Sequence, residues 1–192
     1  MSLTFGGHGI QPIDEVSGNA IYTSVTLDLS PTNVPDNNAN KTQLLCVAGT
    51  VSPQLDSRLI YFRFKDSGGT QNAMLKYVVK TKLATNVQRS TNSSYARFNR
   101  YYQGNTGSTS SMAGERLSFI MFICEQSHDS QPYTNVHGHC WSATQYTSTN
   151  YHMIPARTAF ITKEYGETAK LQIYANSNGI RANVRSWRWG GE

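Results

Sequence analysis

Near its C-terminus the chain runs "TAKLQIYANSNGIRANVRSWRW" (168–189), with apolar residues at every second position: Leu171 and Ile173, then Ile180, Ala182 and Val184. Between the two runs stands Asn176-Ser177-Asn178-Gly179, the composition of a short turn. Alternation of period two buries one side of an extended strand, whereas a helix needs a repeat near 3.6 residues. Two strands joined by a turn follow. The second carries Ile180, Ala182 and Val184 on its inward side and Arg181, Asn183 and Arg185 on its outward side, and Trp187 and Trp189 fall on that outward side too. The inward side needs a sheet and a core. The outward side is placed to meet a neighbouring subunit or a ligand.

The same period recurs along the chain. It is clean in "AIYTSVTLDL" (20–29), and "TQLLCVAGT" (42–50), "RLIYFRFK" (58–65) and "TAFITKEY" (158–165) also read as strands. In "AMLKYVVKTKL" (73–83), Ala73, Leu75, Tyr77, Val79 and Leu83 point inward, and Met74, Lys76, Val78, Lys80 and Lys82 face outward. "ERLSFIMFICE" (115–125) is apolar on both faces and is expected to be a central strand covered on both sides. Together with the last strand, it offers more surface to bury than one core needs, which points to a homo-oligomer. "SPTNVPDNNANK" (30–41) is a breaker-rich loop. The polar middle, 85–114, has weak periodicity and is expected to hold a short strand around Tyr95–Tyr102 within a long connection. No helix, internal repeat or composition boundary is visible. The expectation is one all-β domain, an antiparallel β-sandwich of about nine or ten strands.

Composition agrees. Hydrophobic residues make up 38% and charged ones 15%, with Ser, Thr, Asn, Gln, Tyr and Gly filling the difference. Such a chain makes sheets and polar loops rather than a helical enzyme. Aromatic residues at 11% are enough for a core and argue against disorder. The net charge is +5, but the seventeen Lys and Arg are scattered without a run of four, so nucleic acid is not an expected partner. The cysteines, Cys46, Cys124 and Cys140, are odd in number and suggest no disulfide framework. Cys46 and Cys124 lie in apolar runs and are expected to be buried free thiols. "MSLTFGGHGIQP" lacks the charged and apolar regions of a signal peptide, and no apolar stretch nears the roughly 18 residues that span a bilayer. A chain made in a cytoplasm, without membrane insertion, is expected.

The sharpest chemical motif is "HGHC" (137–140). On a strand, His137 and His139 share a face at a spacing able to hold zinc, with His128 or His152 as a further ligand. No CxxC or HExxH accompanies them, and two polar surface residues explain the motif as well, so no metal or other cofactor is expected. No GxSxG is present, and nothing singles out one of the many loop serines as a nucleophile. The twelve acids form no evident pair for glycoside hydrolysis, and the Gly-rich stretches lack the Lys and helix of a phosphate loop. The expectation is a non-enzymatic protein. Its binding candidates are Tyr101, Tyr102, Trp141, Tyr146, Trp187 and Trp189 with Arg181 and Arg185, suited to a subunit interface or to stacking on sugar rings.

The segments "MAGERLSFIMFI", "YTNVHGHCWSATQYTSTNY" and "AKLQIYANSNGIRANVRSWRW" resemble the jelly-roll modules of virion proteins of tailed phages, marine and cyanobacterial ones especially. Ala113-Gly114 before an aliphatic-aromatic strand, and Ser177, Gly179 and Ile180 in the closing hairpin, carry the likeness; "IYTSVTLDLSP" and "LIYFRFK" fit its front half. The resemblance implies a jelly-roll domain over 20–192 behind an extended Gly-rich arm, 1–19, that straps the subunit to other virion proteins by strand addition. It further implies a structural protein on the particle exterior, a fibre-like or receptor-binding appendage assembled as a homotrimer, with a host surface glycan as a further partner. A capsid decoration protein is the alternative within that class. A free carbohydrate-binding lectin is the alternative outside it.

Overall fold

The period-two alternation folds into extended strands packed as two antiparallel sheets. The fold is that of a computed structural model, described over residues 3–5, 8–29, 42–54, 59–66, 68–69, 75–81, 88–98, 117–128, 131–146, 152–162, 169–176 and 179–189. The strands are β1 (Leu3–Phe5), β2 (His8–Val16), β3 (Ser24–Asp28), β4 (Thr42–Pro53), β5 (Ile60–Lys65), β6 (Leu75–Thr81) and β7 (Gln88–Ser93), followed by β8 (Ala96–Arg97), β9 (Leu117–His128), β10 (Gln131–Tyr146), β11 (His152–Thr162), β12 (Lys170–Ala175) and β13 (Ile180–Trp189). No helix occurs among the described residues.

The larger sheet has nine strands in the order β1-β2-β13-β4-β9-β10-β11-β6-β7, and the smaller has four in the order β3-β12-β5-β8. Four pairings nest from the outside of the sequence inward: β2 with β13, β3 with β12, β4 with β9, and β5 with β8. The β6–β7 and β10–β11 hairpins are inserted into this nest and widen the larger sheet beyond β9.

The core lies between the sheets. The larger sheet contributes Leu45, Val47 and Val51 of β4, Leu117, Met121 and Ile123 of β9, and Ile180, Ala182 and Val184 of β13, all essentially solvent-free. The smaller sheet answers with Val25, Leu27, Phe62, Phe64, Leu171 and Ile173. Phe62 sits 4.9 Å from Phe98 and 5.1 Å from Phe160, centroid to centroid, and Phe98 sits 4.6 Å from Phe119. These tilted and edge-on contacts add to the area that the rings bury. Two polar side chains inside this layer are satisfied. Ser142 Oγ donates to the Phe98 carbonyl at 2.8 Å and Thr158 Oγ1 to the Arg97 carbonyl at 2.7 Å, so the two-residue β8 is tied across to β10 and β11.

Gly49 allows β4 and β13 to lie close. A Cβ there would stand 2.1 Å from the Asn183 carbonyl oxygen and 2.7 Å from the Val184 Cα. Gly138 does the same on β10, where a Cβ would meet the Phe122 carbonyl oxygen at 2.3 Å and the Phe160 ring at 2.6 Å.

Four expectations change in detail. The described residues hold thirteen strands rather than nine or ten. The additions are short or polar: β7 reads "QRSTNS", and such a segment joins a sheet through its backbone rather than through alternation. Within the polar middle, the strand expected around Tyr95–Tyr102 is confined to Ala96–Arg97 among the described residues, and Tyr101 and Tyr102 lie outside them. Residues 1–19, expected as an extended arm, supply β1 and β2, and β2 pairs with β13 of its own domain. Finally, β9 is central but not covered on both sides. Its inner face is buried, while Ser118 and Ile120 on the other face are exposed.

Candidate interaction face

The open face belongs to the larger sheet, and strand register fixes what stands on it. One row across the strands joins Ala48, Ile120, Trp141, Arg157 and Lys80. The next joins Trp187, Cys46, Phe122, His139, Ala159 and Val78. A third joins Leu44, Cys124, His137, Ile161 and Lys76. Ile120 and Val78 are each 39% exposed, Trp141 is 40% and Ile161 is 46%. Of the five large apolar side chains exposed among the described residues, these four share one face; the fifth, Ile21, precedes β3. Large apolar side chains gathered on one face mark a binding surface more often than singly scattered ones do.

Trp141 organises the middle of the band. Its ring centroid is 5.9 Å from Phe122, edge to face, and 5.7 Å from His139, and the Arg157 guanidinium lies 5.3 Å over it. Cation–π contact and strand pairing together hold Arg157 at the border of the apolar band. Lys76, Lys80 and Arg89 continue that border on β6 and β7. On the opposite flank are Arg181 and Arg185 of β13. Arg185 forms an exposed ion pair with Glu15 of β2.

A cleft of about 560 Å³ opens where β2 bulges against β13, between the Ser186–Asp14 and Trp187–Pro12 pairs. Ile10, Pro12, Ile13, Asp14, Glu15, Arg185 and Trp187 line it. Asp14 is engaged already, accepting the backbone N–H of Glu15 at 2.7 Å and that of Asp28 at 2.9 Å. The cleft lies at the Trp187 end of the second row, where Cys46 stands between Trp187 and Phe122.

The site residues expected from sequence divide accordingly. Trp141, Arg181, Arg185 and Trp187 all lie on the open face, together with His137 and His139. Trp189 holds the position opposite Leu44 and Ile10, and Tyr146 pairs with His152; the side chains of these two lie outside the described residues, as do Tyr101 and Tyr102. Cys124 stands opposite His137, yet no group of three or more His, Cys, Asp or Glu able to hold a metal occurs among the described residues. The thiols correct the sequence expectation. Cys46 and Cys124 are half-buried on the open face, and Cys140 is the fully buried one. Burial pushes the Cys46 thiol above its ordinary value and Cys140 well above it.

Ile120, Phe122, Arg157 and Ile161 were not singled out by sequence. For Ile120 and Phe122 the signal was the two-faced apolarity of 115–125, which suits a covered strand as well as a docking one; Arg157 and Ile161 reach the face only through the pairing of β11 with β10. No family model, curated protein or solved structure matches the chain.

Proposed function

We propose that this chain is a non-enzymatic structural subunit that works by docking through the open face of its larger sheet. The nested pairing of β2–β13, β3–β12, β4–β9 and β5–β8 supports reading the sandwich as a jelly roll with two inserted hairpins. The likeness of "IYTSVTLDLSP", "LIYFRFK" and the segments of 112–189 to virion modules favours the exterior of a tailed-phage particle, as a fibre-like or receptor-binding appendage forming a symmetric homotrimer, with capsid decoration as the neighbouring role. The observation that carries the docking reading is the exposure of Ile120, Val78, Trp141 and Ile161 on one face of the larger sheet, with Ile120 directly opposite Trp141. Purified virions incubated with labelled protein and imaged are expected to carry it at one defined location. Random or absent decoration overturns the particle assignment, and light scattering that finds only single chains at micromolar concentration overturns the trimer.

A free lectin is the second reading, and one observation favours it. The β2–β13 cleft sets the Trp187 ring beside Glu15 and Arg185, an aromatic platform with hydrogen-bonding partners of the kind that holds a sugar. Glycan binding that Trp187→Ala abolishes, in protein that does not decorate virions, would favour that reading.

A further inference from the structure

We propose that the occupant of the open face is an acidic protein surface belonging to a different chain, rather than a second copy laid face to face. The inference rests on the docking reading above and specifies the chemistry of the partner. Its first support is the apolar band. Ile120, Ile161 and Val78 are aliphatic, and they gain by meeting other aliphatic or aromatic side chains that exclude water. A sulfated glycan or a nucleic-acid backbone would leave them wet.

The second support is charge. Arg157, Lys80, Lys76 and Arg89 border the band on β11, β6 and β7. Across the sheet, Glu15 is taken up by Arg185. Two copies pressed together through this face would set a cationic border on a cationic border, and like charges held across an interface repel. A partner with carboxylates around an apolar centre meets both features at once. Arg157 is already held over the Trp141 ring, so little of its freedom remains to be lost on binding. The trimer proposed above then closes through other surfaces and leaves this face for the particle.

The test uses the full chain and a short synthetic peptide alternating glutamate with leucine and phenylalanine, followed by anisotropy of a dye on the peptide. The comparison ligands are the same peptide with lysine for glutamate, a heparin-type oligosaccharide and a single-stranded oligonucleotide. The acidic peptide is expected to bind at least about tenfold tighter than each of these, and to weaken with added salt. Ile120→Asp with Ile161→Asp is expected to weaken it by about tenfold or more. Lys80→Glu with Arg157→Glu is expected to do the same while leaving the melting temperature nearly unchanged, which keeps the test readable if the aspartates disturb folding. Equal binding of the lysine peptide, tighter binding of either polyanion, or no acidic-peptide binding overturns the inference. So does self-association of the free chain that Ile120→Asp abolishes. None of these results depends on decoration of virions, so this inference and the particle assignment fail separately.

Discussion

The two faces of β9 differ far more in environment than in composition. Leu117, Met121 and Ile123 are solvent-free on the inner face and Phe119 is 6% exposed, whereas Ile120 is 39% exposed on the outer face beside half-buried Phe122 and Cys124. Both faces are apolar. What separates them is the four-stranded sheet, which covers one side of its nine-stranded partner and leaves the other open. The lesson is that apolarity states a need for burial without naming the partner. On the inner face the partner belongs to the same chain, and the substitution cost is a folding cost. On the outer face, under the docking proposed above, it becomes a binding cost.

The strongest way to break the comparison is to remove a strand that serves both faces. β13 buries Ile180, Ala182 and Val184 inward, carries Arg185 and Trp187 outward, and hydrogen-bonds to both β2 and β4. Ending the chain after Gly179 is expected to leave no cooperative unfolding transition by circular dichroism. Each large aliphatic lost is worth about 1.5–3 kcal/mol against a total of about 5–15 kcal/mol, and the unpaired backbone of β2 and β4 adds to the loss. A truncated chain that melts like the full one would show that the core does not depend on this strand.

Neighbours on one strand give the sharper form. Met121→Ala empties a solvent-free site and is expected to cost about 2–5 kcal/mol in denaturant unfolding. Ile120→Ala, one residue away, is expected to cost less than about 1 kcal/mol, because much of its side chain is already in water. Comparable losses at the two positions would mean that the outer face is covered within the single chain. A backbone counterpart is Gly49→Ala. Its Cβ would collide with the Asn183 carbonyl and Val184 Cα, backbone atoms that yield only by parting β4 from β13, and a loss of about 1–3 kcal/mol is expected.

How much of this was legible in the sequence follows from the same contrast. Alternation located the long strands and their inward residues, because period two depends only on which side is wet: Tyr77 and Val79 are buried, and Lys76 and Lys80 are exposed, as the pattern of 73–83 requires. Segments that enter a sheet by backbone pairing alone, such as β7, leave no such trace. Neither does the width of the covering sheet, so 115–125 looked sandwiched and the thiols of "TQLLCVAGT" and "SFIMFICE" looked buried. The arginines and tryptophans of β13 were legible as an outward set. That they share a face with Trp141 and the two histidines depends on register through β4 and β9, which links residues more than forty positions apart.

The buried and half-buried thiols predict a pH effect that separates the faces again. Burial holds the Cys140 pKa well above its ordinary 9.0, so the folded chain keeps that proton longer than the unfolded one. Below the ordinary value both states are protonated and nothing is lost. As pH rises past it, only the unfolded chain ionises, and stability is expected to fall by up to about 1.4 kcal/mol per pH unit for this thiol. Cys46 is raised for the same reason, and Tyr77 and Tyr174, raised by burial against the opposing pull of Arg97 and Arg63, extend the decline above their ordinary 10.0. Denaturant melts from pH 8 to 10 check this. Cys140→Ala is expected to flatten the slope even as it lowers the starting stability, and an unchanged slope would place its origin elsewhere.

The smallest expected effect falls on the residues that carried the sharpest chemical motif. His137 and His139 stand on the outer face, held apart by Gly138, whose missing Cβ lets the strand settle on the Phe122 carbonyl and the Phe160 ring. Their side chains point away from the core, and among the described residues they join no set of metal-binding groups. Replacing both with Ala is therefore expected to shift stability by no more than about 0.5 kcal/mol, as exposed substitutions usually do. A contact at stake is the 5.7 Å approach of His139 to Trp141, so the ring is expected to gain exposure, seen as a small red shift in tryptophan emission. Gly138→Ala, between the two histidines, is expected to cost far more than both together, because it acts on the covered side of the strand. A purified protein that carries one zinc per chain, lost in the double variant together with several kcal/mol of stability, would reverse this order. It would make the open face a folding element after all.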